Sequence, residues 1–171
     1  MTQSRPEIQL YTDGSASGNP GPGGYGIVLK CGTYTKELSG GYALTTNNRM
    51  ELLAVVKGLQ AIRWQRAKVR VFSDSAYVVK AINEGWLQSW PARGWKKIKN
   101  TDLWLRFLEL YKMHEVRFVW LKGHAGHPEN ERCDALAVAA WSEALKAGKE
   151  LPADEEYLKD TQNTLWQTET I

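Results

Sequence analysis

Two short apolar segments that each end on an aspartate most constrain the fold of this chain. Residues 8–13 read IQLYTD and residues 69–74 read VRVFSD, and both have the composition of strands. Between them, residues 47–63 carry apolar residues at helical spacing. A strand, a helix and a second strand in this order predict a parallel pair, and sites in open α/β sheets form at the carboxyl ends of such strands. Asp13 and Asp74 are therefore expected to face one crevice.

Further strands and helices surround this unit. Residues 26–31 and 34–38 read as two more strands, so residues 8–42 predict an antiparallel meander, and residues 116–121 predict a fifth strand. The glycine- and proline-rich stretch GSASGNPGPGGYG predicts a turn-rich connection after the first strand. Three more helices are predicted, at residues 75–83, 101–113 and 128–145.

Four carboxylates of this topology can share one crevice. Asp13 and Asp74 end strands, Glu51 lies on the helix between them, and Asp134 lies on the last predicted helix. Clustered carboxylates repel each other and raise each other's pKa unless divalent cations lie between them. Hard oxygen ligands favour Mg²⁺ or Mn²⁺, and two such ions about 4 Å apart suit in-line phosphoryl displacement.

Each carboxylate also has an ordinary structural alternative. Asp13 suits a turn, Asp74 suits a helix N-cap, and Asp134 suits a solvated helix edge. Glu51 stands three residues after Asn48, the spacing of a capping box. For Glu51, a metal ligand and a capping residue are about equally good interpretations, so the start of this helix does not decide between them.

A basic, tryptophan-rich segment, residues 86–100, suggests a nucleic-acid surface. Its sequence WLQSWPARGWKKIKN contains no acid. Aromatic faces and cations together hold a phosphate backbone and its bases. The alternative is a tryptophan-anchored loop with a solvated basic face. The candidate contacts are Trp86, Trp90, Arg93, Trp95, Lys96, Lys97 and Lys99.

Charge divides the chain unevenly. The overall net charge is +3, but residues 150–171 carry −5 and the rest +8, a balance that points to a polyanionic partner. No apolar run approaches a membrane span, and the first residues lack the apolar stretch of a secretory signal. We therefore expect a cytoplasmic protein without a membrane partner.

Five stretches of the chain resemble bacterial type 1 ribonuclease H (ribonuclease HI). They are YTDGSASGNPGPGGYG, TTNNRMEL, SDSAYVVKAI, the tryptophan-rich basic segment up to NTDLW, and WLKGHAGHPENERCDALA. The resemblance implies an α/β ribonuclease H-like fold: a five-stranded mixed sheet, three antiparallel strands then two parallel, flanked by helices. It implies a catalytic domain at residues 1–148, and leaves residues 149–171 as an acidic tail that we expect to be dispensable for catalysis.

The implied activity is endonucleolytic hydrolysis of the RNA strand of RNA/DNA hybrids, without sequence preference. Its products carry 5′-phosphate and 3′-hydroxyl ends, and its cofactor is a pair of Mg²⁺ ions, with Mn²⁺ as a substitute. The resemblance also implies a monomer that binds the hybrid as its partner.

The resemblance assigns roles residue by residue. Metal binding falls to Asp13, Glu51, Asp74 and Asp134, and proton transfer or product release falls to His124, whereas His127 is structural. Contacts to the minor groove fall to Asn19, Asn47 and Asn48, and contacts near a DNA phosphate to Thr46 and Arg49. Ala76 departs from the family pattern, which commonly has a substrate-holding Gln there.

Two other functional classes compete with this interpretation. A non-catalytic nucleic-acid binding module would keep the basic segment but could lose carboxylates, and all four are here. An integrase- or transposase-like polynucleotidyl transferase domain shares the topology and the metals. It would normally need further DNA-binding domains, for which this length leaves no room.

Overall fold

A five-stranded mixed sheet forms the centre of the protein in the computed structural model, which describes residues 5–95, 98–122 and 126–168, with side chains to residue 161. The strands are β1 Ile8–Ala16, β2 Gly21–Cys31, β3 Tyr34–Thr45, β4 Lys68–Ser73 and β5 Glu115–Trp120. Their spatial order is β3-β2-β1-β4-β5. The first three strands pair antiparallel and the β1–β4 and β4–β5 pairs are parallel, so the predicted sheet is confirmed.

Six helices flank the sheet in the described part of the chain. They are α1 Asn47–Gln60, α2 Ala76–Asn83, α3 Trp86–Ala92, α4 Thr101–Met113, α5 Pro128–Lys146 and α6 Glu155–Thr168. Four of them match predicted helices. The other two, α3 and α6, lie in the segments predicted as a basic surface and as a tail. None of the helices in the described ranges is long and apolar enough to cross a membrane.

The core lies between the sheet and helices α1 and α4. Leu52, Val55 and Leu59 of α1 are fully buried, as the helical spacing of apolar residues predicted. Trp104 and Phe107 of α4 are also fully buried, with ring centroids 5.7 Å apart. Burying so many apolar side chains on one face fixes α1 against β1, and therefore fixes the position of the polar residues at its start.

The glycine-rich stretch is mostly strand rather than turn. Only residues 17–20 separate β1 from β2, because the glycines that follow lie in the paired part of β2. A Cβ added at Gly26 would overlap the carbonyl oxygen of Cys133 on α5. These glycines therefore let a helix approach the sheet closely, a use of glycine that a turn prediction misses.

The acidic C-terminal segment, predicted as a tail after residue 148, is docked on the domain in the part that the structure describes. The Ala43 N–H, on β3, donates to the carbonyl of Pro152 at 2.9 Å. The side chain of Leu151 lies against Gly41, and Asp154 is only 6% exposed. The segment therefore begins as part of the folded structure, before α6.

Candidate active site

Three carboxylates from three elements converge at the carboxyl end of β1. Asp13 lies on β1, Asp74 directly follows β4, and Glu51 lies near the start of α1. Tyr11 and Phe72 are the last residues that pair between parallel β1 and β4, and each aspartate follows two residues later in the chain. One oxygen atom from each of the three carboxylates lies within 4.8 Å of the others. The predicted crevice is formed by these three side chains.

Gly14 permits the approach of α1 to β1. A Cβ at this position would overlap the backbone nitrogen of Glu51, so any larger residue would push the two elements apart. The Gly14 N–H also donates to Asp13 Oδ1 at 2.9 Å. Gly14 lies within β1, so it is needed for the close contact between the two backbones and not for a turn.

Other residues take the helix-capping roles that the sequence left open to Glu51 and Asp74. Ser75 is the N-cap of α2, and its hydroxyl accepts a hydrogen bond from a backbone N–H of the first turn at 3.3 Å. Thr46 is the N-cap of α1, which leaves Asn48 inside the helix. The capping alternatives for both carboxylates are therefore excluded.

Burial and mutual repulsion hold protons on this cluster. Burial raises the pKa of Asp13 to about 7, together with the charge of Asp74, although hydrogen bonds with Glu51 and the Gly14 N–H oppose the shift. Burial also raises the pKa of Glu51 well above its usual range, and the charge of Asp13 adds to the effect. Without a cation, Asp13 and Glu51 therefore resist ionisation near neutral pH.

The donor set fits a divalent cation. Glu51 Oε2 is buried and has no hydrogen-bond partner among the described residues. A buried carboxylate oxygen without a partner is costly, and positive charge at this point would relieve both that cost and the repulsion. Oxygen ligands of this kind suit Mg²⁺ or Mn²⁺. Asp13, Glu51 and Asp74 are the residues that would hold the ion.

A polar edge formed by asparagines lies beside the cluster. The Asn47 N–H donates to Asn19 Oδ1 at 3.2 Å, and Asn47 Oδ1 accepts from the Ala16 N–H at 2.7 Å. These bonds join the turn after β1 to the start of α1. Asn19, Asn47 and Asn48 are all exposed, so their remaining polar groups face solvent one turn from Glu51.

A family model described as RNase H matches residues 5–142 of the chain. The chain belongs to the RNase H family. The chain is 55% identical over 152 residues to a ribonuclease H of Syntrophus aciditrophicus (strain SB), covering 85% of this chain and 87% of that protein. RNase H family membership identifies an enzyme that cleaves the RNA strand of RNA/DNA hybrids.

Solved RNase H structures share the fold. LC9-RNase H1, a type 1 RNase H with the type 2 active-site motif, superimposes with a TM-score of 0.75 at 32% identity, covering 84% of this chain and 75% of that one. LC11-RNase H1, in complex with RNA/DNA hybrid, gives a TM-score of 0.60 at 26% identity, covering 81% of this chain and 99% of that one.

Asp134 and the two histidines of the family resemblance lie outside the three-carboxylate cluster or outside the described residues. Asp134 is exposed on α5 and outside the three-carboxylate group, but its charge contributes to raising the pKa of Asp13, after burial and Asp74. Its role as a metal ligand stays a prediction. His124 lies outside the described residues. His127 is exposed at the N-cap position of α5, without a side-chain capping bond.

The tryptophans of residues 86–100 have different environments. Trp86 is 39% exposed on α3, and Trp95 is partly buried. Trp90 is 8% exposed, with its ring centroid 5.3 Å from that of core residue Trp104. The ring of Trp90 is thus packed in the core, whereas Trp86 has the more exposed ring, and the substrate contacts of all three tryptophans stay predictions.

The cations of the same segment and Arg49 also differ. Arg93 and Lys99 are exposed, and Lys96 and Lys97 lie outside the described residues. The side chain of Arg49 is only 4% exposed and forms two ion pairs with carboxylates. The charge of Arg49 is thus neutralised within the protein, and its place near a DNA phosphate stays a prediction. The sequence did not suggest its partners, Asp102 and Asp154, as functional residues.

Proposed function

We propose that this RNase H cleaves the RNA strand of hybrids endonucleolytically and without sequence preference, leaving 5′-phosphate and 3′-hydroxyl ends. The observation that carries the proposal is the approach of carboxylate oxygens from Asp13, Glu51 and Asp74 to within 4.8 Å, beside an exposed asparagine edge. The hybrid bound by the similar LC11-RNase H1 supports the same substrate here. The cytoplasmic location and the monomeric state stay predictions.

Each group of residues has a distinct part in this proposal. Two Mg²⁺ ions, replaceable by Mn²⁺, would supply an activated water and stabilisation of the leaving oxygen when bound. Asp13, Glu51 and Asp74, with Asp134, hold them. Asn19, Asn47 and Asn48 face the minor groove, and Thr46 lies near a DNA phosphate. A hybrid has a wide minor groove with 2′-hydroxyls on one strand, so contacts to shape and hydroxyl groups select it without reading bases.

A cleavage assay on three labelled duplexes tests the proposal. We expect Mg²⁺-dependent cutting of the RNA strand in RNA/DNA hybrid, and neither strand of an RNA or DNA duplex cut at a comparable rate. End-labelling of the products should find a 5′-phosphate and a free 3′-hydroxyl. Full activity in excess EDTA, or equal cutting of DNA duplex, would refute the proposed function.

His124→Ala should slow turnover by about one to two orders of magnitude without abolishing it, because general acid–base help is worth roughly 10² to 10⁴. The matched variant His127→Ala should leave turnover almost unchanged, since His127 is exposed and caps no helix N–H with its side chain. Single-turnover rates of both variants make the comparison. A slower, folded His127 variant would show that the two histidines were assigned in the wrong order.

The basic segment should bind backbone phosphates. Replacing Arg93, Lys96, Lys97 and Lys99 by Ala should weaken hybrid binding and reduce the slope of log affinity against log salt by up to about 0.9 for each phosphate that is no longer neutralised. The control replaces four exposed cations outside this segment: Arg63, Lys68, Lys112 and Lys146. Binding isotherms at several salt concentrations compare the variants. Equal slopes in both would show that residues 86–100 are only a solvated surface.

A further inference from the structure

Arg49 is bound by acceptors from distant parts of the chain. Its Nε donates to Asp154 Oδ2 at 2.6 Å, and its Nη2 to Asp154 Oδ1 at 3.0 Å. Nη1 and Nη2 each donate to Asp102 at 2.8 Å, and Nη1 lies 3.4 Å from Asn100 Oδ1. Five hydrogen bonds match the five N–H donors of a guanidinium. Nothing of the group is left for a phosphate.

This buried cluster joins three segments that are far apart in sequence. Arg49 lies in the first turn of α1, directly after the exposed asparagine edge. Asp102 lies in the first turn of α4, directly after the basic segment at residues 86–100. Asp154 belongs to the docked C-terminal segment, where it also accepts a hydrogen bond from the buried Thr45 hydroxyl at 3.0 Å. The cluster therefore fixes the spacing between the two proposed substrate surfaces.

Electrostatics argues against a phosphate-attracting role for the cluster. Burial opposes the charge of Arg49, but its hydrogen bonds to Asp102 and Asp154 raise its pKa, so the guanidinium stays charged and paired. Two carboxylates on one cation leave an excess negative charge beside a surface that binds a polyanion. Long-range attraction of the substrate would be better without them. Their geometry, rather than their charge, is what can help binding.

We propose that Asp102 and Asp154 are positioning residues, which act through Arg49 to hold Asn47 and Asn48 at the correct spacing from the basic segment for a hybrid to contact both. The inference rests on the proposed function, because it concerns affinity for the hybrid. It makes the C-terminal segment part of the substrate-binding structure, contributed from beyond every stretch that carries the family resemblance.

Asp154→Asn removes the charge and keeps the shape. We expect the Kd for the hybrid to rise about tenfold, the order of one charge-assisted hydrogen bond, while kcat changes by less than about twofold. The slope of log Kd against log salt should not change, because the same phosphates stay neutralised. Fluorescence anisotropy in EDTA gives Kd, and cleavage in Mg²⁺ gives kcat and KM, both at a temperature where circular dichroism shows folded protein.

Glu155→Gln is the matched control, because it removes the same charge one residue further on from an exposed side chain. Glu155→Gln should leave the Kd for the hybrid unchanged or lower it slightly, whereas Asp154→Asn should raise it. Asp102→Asn should repeat the rise in Kd. Its carboxylate is 20% exposed against 7% for Asp154, so this variant decides the question if Asp154→Asn does not fold.

Three results would overturn the proposal. Tighter hybrid binding with a steeper salt slope in Asp154→Asn would mean that Arg49 is a phosphate ligand masked by the C-terminal segment. An unchanged Kd, or a loss in kcat alone, would mean that the cluster only stabilises the fold. If the unaltered protein cuts DNA duplex as readily as hybrid, the proposed function itself fails, and this result is visible before any variant is compared.

Discussion

Asp13→Asn should lower the cleavage rate by roughly a thousandfold or more, and should raise the melting temperature in EDTA. The variant loses a charged ligand from the three-carboxylate cluster, so the bound cation is no longer correctly held. Hybrid binding should survive, because the asparagine edge and the basic segment supply it. A single substitution thus separates catalysis, binding and stability.

The stability gain follows from the raised pKa of Asp13. A carboxyl whose folded pKa is about 7, against an ordinary 3.8, contributes stability that is fully present below about pH 4 and is lost as pH rises through 7. At pH 8 the loss is about 2 to 4 kcal/mol, and the variant escapes it. We expect its Tm to exceed that of the unaltered protein by about 5 °C or more in EDTA at pH 8.

Thermal melts from pH 4 to pH 8 in EDTA check this prediction. The difference between the two proteins should be largest at high pH and should shrink toward pH 4, and millimolar Mg²⁺ should stabilise the unaltered protein more. Glu131→Gln, an exposed acid on α5, serves as the control and should show no such trend. A variant that melts lower than the unaltered protein at pH 8 would show that Asp13 is needed for the fold rather than strained in it.

Local sequence patterns predicted the elements that carry the carboxylates. The alternating strands that end at Asp13 and Asp74, and the apolar stripe of α1, are short-range signals that depend on few neighbours. The parallel pairing of β1 and β4 followed from the order of elements alone. What the sequence left open was whether Glu51 and Asp74 only cap helices, because several residues near a helix start can fill that role. The structure gives the caps to Thr46 and Ser75.

Features that depend on long-range contacts were not predictable in the same way. Gly24 lies in a glycine-rich stretch that predicts turns, yet it belongs to β2, and α5 packs where its Cβ would lie. Trp90 looked like a stacking surface until its contact with Trp104 placed it in the core. Arg49 likewise followed the family's substrate pattern, and only its partners 53 and 105 residues away show that it is neutralised.

Removing the docked C-terminal segment should lower the stability of the fold. A chain that ends after Lys149 loses the Pro152 carbonyl that pairs with β3 and the buried Asp154 that pairs with Arg49. Removing one partner of a buried ion pair leaves a charge poorly solvated, although Asp102 still compensates part of it here. We expect the free energy of unfolding to fall by about 2 to 4 kcal/mol and Tm by about 5 to 10 °C.

A chain that ends after Thr161 is the matched control, because it keeps Pro152 and Asp154 and removes only residues beyond the described side chains. Its unfolding midpoint in urea should stay closer to that of the full chain, whereas the chain ending after Lys149 should unfold at a lower midpoint with a similar or smaller slope. The loss of stability could have a second cause, because residues 150–171 carry a net charge of −5 and the rest of the chain +8. Attraction between exposed charges is weak, however, and is screened by salt. The difference between the two truncated chains should therefore persist in high salt. Equal midpoints for the two truncated chains would show that the contacts of Asp154 are not needed for stability. A difference in midpoint that high salt abolishes would show that the acidic charge, rather than the buried ion pair, stabilises the full chain.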